Sequence, residues 1–355
     1  MKKAVIYKKL SNKVVECLAC SWYCKIPENM VGLCATRYNM GGNLYSLVYG
    51  RPVGLAIDPV EKKPLYHFLP GSKILSFGTV GCNFGCLFCQ NFEMSQTNKN
   101  VIKNIKNKKY LKKTLDKIID QFSSQMSPIQ IIKLALKNQV QGIAYTYNEP
   151  AIFVEFAYET AKLAKRYGLK NIYVSNGFES PEAFSYIKKY LDAINIDLKS
   201  FRNEFYNKIC FSKIEPVLKN IKIFFKSGIE TEITTLIIPT LNDSLEELQD
   251  IAKFLASISK DIPWHISAFY PAYKMISFPP TPHETLDKAY KIGLDQGLKY
   301  IYQGNVYNPE KSSTFCPKCK ILLIKRENYD VSIEKIDLKN GRCLNCHEKI
   351  YGIWH

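Results

Sequence analysis

The sequence predicts an α/β fold: a partial (β/α)6 barrel with an N-terminal cysteine-rich segment before it and a C-terminal four-cysteine module after it. Three observations predict this. Short apolar segments alternate with helical ones from about residue 74 to about residue 303, the pattern of repeated βα units on a parallel sheet. About six such units are present, fewer than the eight of a closed barrel. The twelve cysteines fall largely into three tight groups: one before this alternation, one at its start and one after it.

The elements follow in order. Residues 1–70 are loop-rich and carry Cys17, Cys20, Cys24 and Cys34. The apolar run 74–80 is a strand, and Cys82, Cys86 and Cys89 follow it directly. A lysine-rich stretch at 97–126 contains Lys99, Lys103, Lys106, Lys108, Lys109, Lys112, Lys113 and Lys117. Its Ile and Leu residues recur at three- and four-residue spacing, so part of it is expected to be an amphipathic helix. Ser127-Pro128 opens a helix that runs to about Asn138, an N-cap followed by proline at the first position. Residues 142–147 form a strand, and 150–167 form a helix that stops at Gly168. Residues 171–175 are a strand, and Ser180-Pro181 opens the next helix. Strands are then expected at 193–198, 230–238, 264–269 and 300–303, with helices at 214–226, 244–257 and 285–296 between them. Residues 311–355 contain Cys316, Cys319, Cys343 and Cys346 and two strand-like runs, and read as a separate module. The expected domains are therefore 1–70, 71–310 and 311–355.

No run of about 18 apolar residues is present, so no transmembrane helix is expected. The N-terminus is positive but lacks the apolar stretch of a signal peptide. A cytoplasmic location is expected. In that reducing setting cysteines favour metal ligation over disulfides. Lys and Arg total 49 against 32 Asp and Glu, giving a net charge of +17. Such a field attracts polyanions, which makes RNA a candidate partner. Compositional drift toward Lys and Asn would produce the same excess.

The residues 81–91 read Gly-Cys-Asn-Phe-Gly-Cys-Leu-Phe-Cys-Gln-Asn, a C-x3-C-x2-C pattern on a loop after a strand. Three thiolates can hold three irons of a [4Fe–4S] cluster and leave the fourth iron open. S-adenosylmethionine (SAM) can chelate that iron through its amino and carboxylate groups. One electron then cleaves its sulfonium and yields a 5′-deoxyadenosyl radical that abstracts hydrogen. A zinc site missing one ligand is the dull alternative. The motif in this position resembles the signature of the radical SAM superfamily.

That resemblance implies further cofactor-binding residues. Tyr147-Asn148-Glu149-Pro150 looks like the segment whose acid binds the SAM amino group, with Asn148 where a glycine is usual. Ser175-Asn176-Gly177 resembles a segment near SAM. Asp197-Leu198-Lys199 resembles the Asp-x-Lys segment of glycyl-radical activating enzymes, and His265 stands near a SAM-contacting histidine of that group. Read alone, Asn176-Gly177 is a turn, Glu149 a helix start and Asp197/Lys199 a surface ion pair.

The chain as a whole is similar to the radical SAM enzyme of the AmmeMemoRadiSam system, which is related to pyruvate formate-lyase activating enzyme. The matching residues are Cys17-x2-Cys20, Gly32-x-Cys34-x2-Arg37, Asp58-Pro59-x-Glu61-Lys62-Lys63-Pro64, residues 82–91, Asn176-Gly177, Ile238-Pro239-Thr240-x-Asn242-Asp243, His265-x-Ser267-x-Phe269-x-Pro271, Gly304-Asn305 and the C-terminal cysteines. The stretch 97–126 is longer than the family pattern. The resemblance implies a Memo-like and an AMMECR-type protein as partners, with a ferredoxin or flavodoxin as electron donor under anaerobic conditions.

Cys316-x2-Cys319 and Cys343-x2-Cys346 stand 23 residues apart and form a zinc-ribbon-like pattern, two knuckles each giving two thiolates. Zinc is expected there, or a rubredoxin-like iron. Cys17, Cys20, Cys24 and Cys34 could hold zinc or an auxiliary [4Fe–4S] cluster. Cys210 is expected to be a small core residue. The leading functional expectation is a radical SAM enzyme acting on a macromolecule, with RNA modification first. A glycyl-radical activating enzyme acting on a protein glycine is the second. A metal-stabilised nucleic-acid-binding protein is the non-enzymatic alternative.

Overall fold

A computed structural model describes residues 1–105 and 108–355. Lys106, part of the lysine-rich stretch, lies outside the described residues. The fold is mixed α/β with parallel central strands, and the chain divides into two compact units. The first comprises residues 1–57 and 74–192, the second residues 58–73 and 193–355.

The first unit is built on three parallel strands: β1 (Lys73–Gly78, of which Lys73 belongs to the other unit), β2 (Gly142–Tyr145) and β3 (Lys170–Ser175). β2 lies in the middle, with Leu75 and Asn171 both in register with Ile143. These strands are buried along most of their length, as parallel strands covered on both faces are. Between β1 and β2 come α1 (Phe92–Asn104), α2 (Leu111–Phe122) and α3 (Pro128–Lys137). In α2 the buried residues are Leu111, Leu115, Ile118 and Ile119, one helical stripe, and its lysines lie off that stripe. The lysine-rich stretch is thus largely helical. The helix expected at 150–167 starts as a 3-10 turn at Pro150–Phe153 and continues as α4 (Val154–Arg166). α5 (Pro181–Ile187) follows β3, with Ser180 as its N-cap.

The first 57 residues hold more regular structure than a loop-rich reading allows. Tyr7–Lys9, Val15–Cys17 and Lys25–Ile26 form one antiparallel sheet. Lys2–Lys3, Arg37–Met40 and Asn43–Ser46 form another. Strands of two to four residues are too short to show a period-2 pattern in sequence.

The second unit carries four parallel strands in chain order: β4 (Ala193–Asp197), β5 (Glu230–Ile237), β6 (Trp264–Ala268) and β7 (Ile301–Gly304). Helices α6 (Glu215–Lys226), α7 (Leu245–Ile258) and α8 (His283–Asp295) connect them. Cys210 is fully buried, as a core residue should be. The C-terminal segment adds an antiparallel sheet of Thr314–Phe315, Leu322–Glu327 and Asp330–Ile333. It shares one hydrophobic core with β7: Tyr300 and Tyr302 pack with Cys316, Leu323, Cys343 and Trp354. Arg326 locks this core from inside. Its guanidinium lies 4.3 Å over the Tyr66 ring, donates to the Tyr66 carbonyl at 2.7 Å and faces the Glu61 carboxylate at 3.6 Å. Among the described residues no helix is long and apolar enough to cross a membrane.

Candidate active site

In the first unit the loop after β1 carries Cys82, Cys86 and Cys89, and the ends of β2 and β3 brace it. Gly81 opens the loop at φ +91°, and its N–H donates to the Met94 carbonyl of α1 at 2.8 Å. Asn148, just past β2, spends its side-chain amide on this turn. Its Nδ2 donates to the Thr79 carbonyl at 2.7 Å and to the Gly81 carbonyl at 2.7 Å. Asn83, inside the cysteine loop, accepts a hydrogen bond at its Oδ1 from Asn176 Nδ2 at 2.8 Å. Asn176 stays oriented because its own Oδ1 accepts from Phe178 N–H at 3.1 Å.

Glu149 is fully buried behind this layer. Its carboxylate accepts from Asn176 N–H at 2.8 Å, from Ser175 Oγ at 3.0 Å and from Ala151 N–H at 3.2 Å. The structure thus gathers Cys82, Cys86, Cys89, Asn148, Glu149 and Asn176 at one end of the three parallel strands. Within this set Glu149 and Asn148 hold backbone turns in place. The sequence names Asn83 and Ser175 only as members of motifs and gives neither a role of its own. Asn83 sits inside the cysteine motif, and Ser175 immediately precedes the Asn-Gly pair; no periodicity marks either one.

The loop suits a polynuclear group. The Cys82 thiol is buried, and burial pushes it up to about 12 against the pull of the Lys99 ammonium. A buried thiol of this kind becomes a thiolate by binding a cation. Cys89 Sγ lies 3.2 Å from Ser95 Oγ on α1, which offers a hydrogen bond to the sulfur. Among the described residues only the C-terminal cysteines bring three or more ligand atoms within 4.8 Å of one another, so the three thiols of the Cys82 loop do not all lie that close. A cubane needs more room than a single ion, because its own irons and sulfides stand between the protein ligands.

The other residues expected near SAM lie in the second unit. Asp197 ends β4, and its carboxylate accepts from Lys199 Nζ at 2.9 Å. His265, on β6, is buried and sits 2.5 Å from the Glu232 carboxylate of β5. Glu232 also accepts the His67 N–H at 2.7 Å. His265 lines a cavity of about 360 Å³ together with Glu61, Tyr66, Thr234, Tyr270 and Asn305. Glu232 was not legible from sequence: an acid within a mixed strand, Glu-Thr-Glu-Ile-Thr-Thr-Leu-Ile, carries no motif.

Cys316, Cys319, Cys343 and Cys346 come together as two knuckles. Cys316 and Cys346 are 3.5 Å apart and Cys319 and Cys343 3.7 Å apart, sulfur to sulfur. Tetrahedral ligation at about 2.3 Å per Zn–S bond sets thiolates about 3.8 Å apart, so these four fit a single ion. Hydrogen bonding from Asn345 leads the effects that lower the Cys319 thiol, while burial raises that of Cys316 beside it. Cys17, Cys20, Cys24 and Cys34 surround a small cavity that Trp22, Arg37 and Asn83 also line.

Residues 77–255 match the sequence model of the radical SAM superfamily. The uncharacterized protein MJ0808 of Methanocaldococcus jannaschii is 38% identical over 351 residues, covering 99% of either chain. Among solved structures, a domain of pyruvate-formate lyase-activating enzyme from Bacteroides vulgatus is 22% identical, at a TM-score of 0.41 over 46% of this chain and 99% of that one. SuiB of Streptococcus suis bound to its precursor peptide SuiA is 12% identical, at 0.48 over 70% and 51%. A radical SAM methyltransferase from Sphaerobacter thermophilus is 12% identical, at 0.48 over 67% and 68%. The superfamily match spans half of the chain and includes the cysteine loop, and on that ground the protein is an enzyme of the radical SAM superfamily.

Proposed function

We propose that this enzyme cleaves SAM reductively and uses the resulting radical to abstract hydrogen from a macromolecule, with RNA modification as its task. The observation that carries the first half is the Cys82–Cys86–Cys89 loop, pinned by Asn148 and Asn176. Those three thiolates would hold the [4Fe–4S] cluster, and the cluster would supply the electron that splits the SAM sulfonium into methionine and a 5′-deoxyadenosyl radical. The chain's own work is positional. Asn148 fixes the turn before Cys82, Asn176 fixes Asn83, and the buried Glu149 holds the Ser175–Asn176 backbone.

The net charge of +17 supports RNA as substrate, since phosphates and lysines attract at long range. The Asp197–Lys199 pair at the end of β4 favours a second reading, activation of a glycyl-radical protein. The C-terminal cysteines would hold zinc in either case. The full-length resemblance to the AmmeMemoRadiSam enzyme supports a cytoplasmic setting with Memo-like and AMMECR-type partners and a ferredoxin or flavodoxin as reductant.

Anaerobic reconstitution followed by SAM and dithionite should release 5′-deoxyadenosine and methionine in equal amounts; no cleavage would end both readings. Mass spectrometry of RNA and protein from cells with and without the gene separates them. A nucleoside mass lost with the gene supports RNA. A glycyl radical lost with it, and unchanged RNA, supports the activase.

A further inference from the structure

We infer that Cys17, Cys20, Cys24 and Cys34 hold a second [4Fe–4S] cluster, not zinc, in backbone contact with the Cys82 loop. The first argument is size. In the same chain a mononuclear site is already visible at Cys316, with sulfurs 3.5 and 3.7 Å apart in facing pairs. The N-terminal thiols are not drawn together in that way: among the described residues no three of them lie within 4.8 Å of one another. The same holds for Cys82, Cys86 and Cys89, the motif of a cubane. The N-terminal thiols instead ring a cavity.

The second argument is the wall of that cavity. Arg37 is fully buried and lines it. Its Nη1 donates to Glu155 at 2.7 Å and its Nη2 reaches the Ala151 carbonyl at 3.3 Å, while its Nε–H has no partner among the described residues. A buried guanidinium N–H without an acceptor is costly. A sulfide or thiolate in the cavity would accept it. Thr36 Oγ1 already donates to Cys34 Sγ at 3.2 Å.

The third argument is adjacency. A Cβ on Gly81 would lie 2.6 Å from the Cys34 carbonyl oxygen and 2.5 Å from the Thr36 methyl, so the two cysteine loops touch through their backbones. Trp22 Nε1 donates to the Asn83 carbonyl at 3.1 Å, and Asn83 lines the N-terminal cavity while following Cys82 directly. This contact gives the second cluster a task that rests on the radical reading: passing electrons inward. It takes one electron from an external low-potential flavin or iron–sulfur protein, which is oxidised by one electron. It passes one to the Cys82 site, which is reduced by one.

The test uses the full chain reconstituted anaerobically. Wild type should bind about eight irons and about eight sulfides, with about one zinc. The variant Cys82→Ala/Cys86→Ala/Cys89→Ala leaves the N-terminal site untouched. It should keep about four irons and an EPR signal that SAM does not alter. Four irons with two zincs in wild type, or a folded triple variant with two zincs and no iron, overturns the proposal. A wild-type signal that SAM never alters sinks the Cys82 reading alone and leaves the iron count standing. For the relay, Cys24→Ala/Cys34→Ala should slow reduction of the remaining cluster by reduced flavodoxin at least about tenfold while dithionite reduces it as before. Equal flavodoxin rates in variant and wild type overturn the relay.

Discussion

Gly81 sits where the backbone runs at φ +91° and where a methyl group would meet a carbonyl oxygen at 2.6 Å. Both facts exclude a side chain, one through backbone strain and the other through collision with main chain that cannot step aside. Gly81→Ala should therefore push the cysteine loop off Cys34, costing about 2 kcal/mol or more of stability. Iron and sulfide bound after reconstitution should fall to below about half of wild type; full incorporation with an unchanged urea midpoint would show that the loop tolerates the shift. The superfamily was legible at this scale because cysteine spacing narrows the chemistry. Cys82, Cys86 and Cys89 point to a cluster by count and interval, and the structure brings Cys316, Cys319, Cys343 and Cys346 together as their spacing suggests. The resemblance assigns Asn148 and Glu149 to SAM binding, and the structure adds that both hold backbone. That added role is invisible in sequence, since a side-chain amide or carboxylate has the same letter whichever donor or acceptor it meets.

At the scale of elements, helix starts were the most legible feature. Ser180-Pro181 predicts an N-cap, and Ser180 Oγ does accept the Ala183 N–H at 3.0 Å. The same hydroxyl donates to the Leu18 carbonyl, between Cys17 and Cys20. One buried side chain thus caps α5 and anchors the N-terminal cysteine loop. Ser180→Ala should cost about 1–2 kcal/mol, the upper range for a cap because the Leu18 carbonyl also loses its donor. Native-state hydrogen exchange should show faster exchange in residues 181–187 and in residues 17–20 together. Acceleration in the helix alone would mean that the link to Leu18 carries nothing. The central strands were legible because short buried runs with apolar residues, such as Ile74–Phe77 and Ile143–Tyr145, recur between capped helices. The N-terminal sheets were not, because pairs such as Val15–Cys17 with Lys25–Ile26 are set by contacts between segments far too short to signal themselves.

At the scale of the whole molecule, the C-terminal cysteines and the barrel strands share stability in the second unit. Cys316 and Cys343 are core members alongside Tyr300, Tyr302 and Trp354, so an ion at this site holds more than its own knuckles. Stripping it with a strong chelator should lower the melting temperature by on the order of 5 °C or more. Trp354, now 5% exposed, should show a red-shifted emission as that core loosens. An unchanged spectrum would confine the ion's effect to the knuckles.

The same core sets an acid limit. His67 is fully buried, with Nδ1 donating to the Tyr351 carbonyl at 2.6 Å and Nε2 accepting from Tyr302 OH at 2.6 Å. Both ring nitrogens are used by the neutral form. Burial pushes its pKa down to about 4, against the pull of the Glu232 carboxylate. Unfolded, the same imidazole titrates near about 6.5. Between these values the unfolded chain holds a proton that the folded chain refuses, so His67's share of stability is whole above about 6.5 and drains as pH falls toward about 4. The gap corresponds to roughly 3 kcal/mol. Denaturant unfolding at pH 7 and at pH 4.5 should show that loss in wild type. His67→Gln can still donate and accept but takes up no proton, so it should start less stable and lose less between the two pH values. If wild type and variant lose the same amount, the acid limit belongs to other groups and His67 only packs the core.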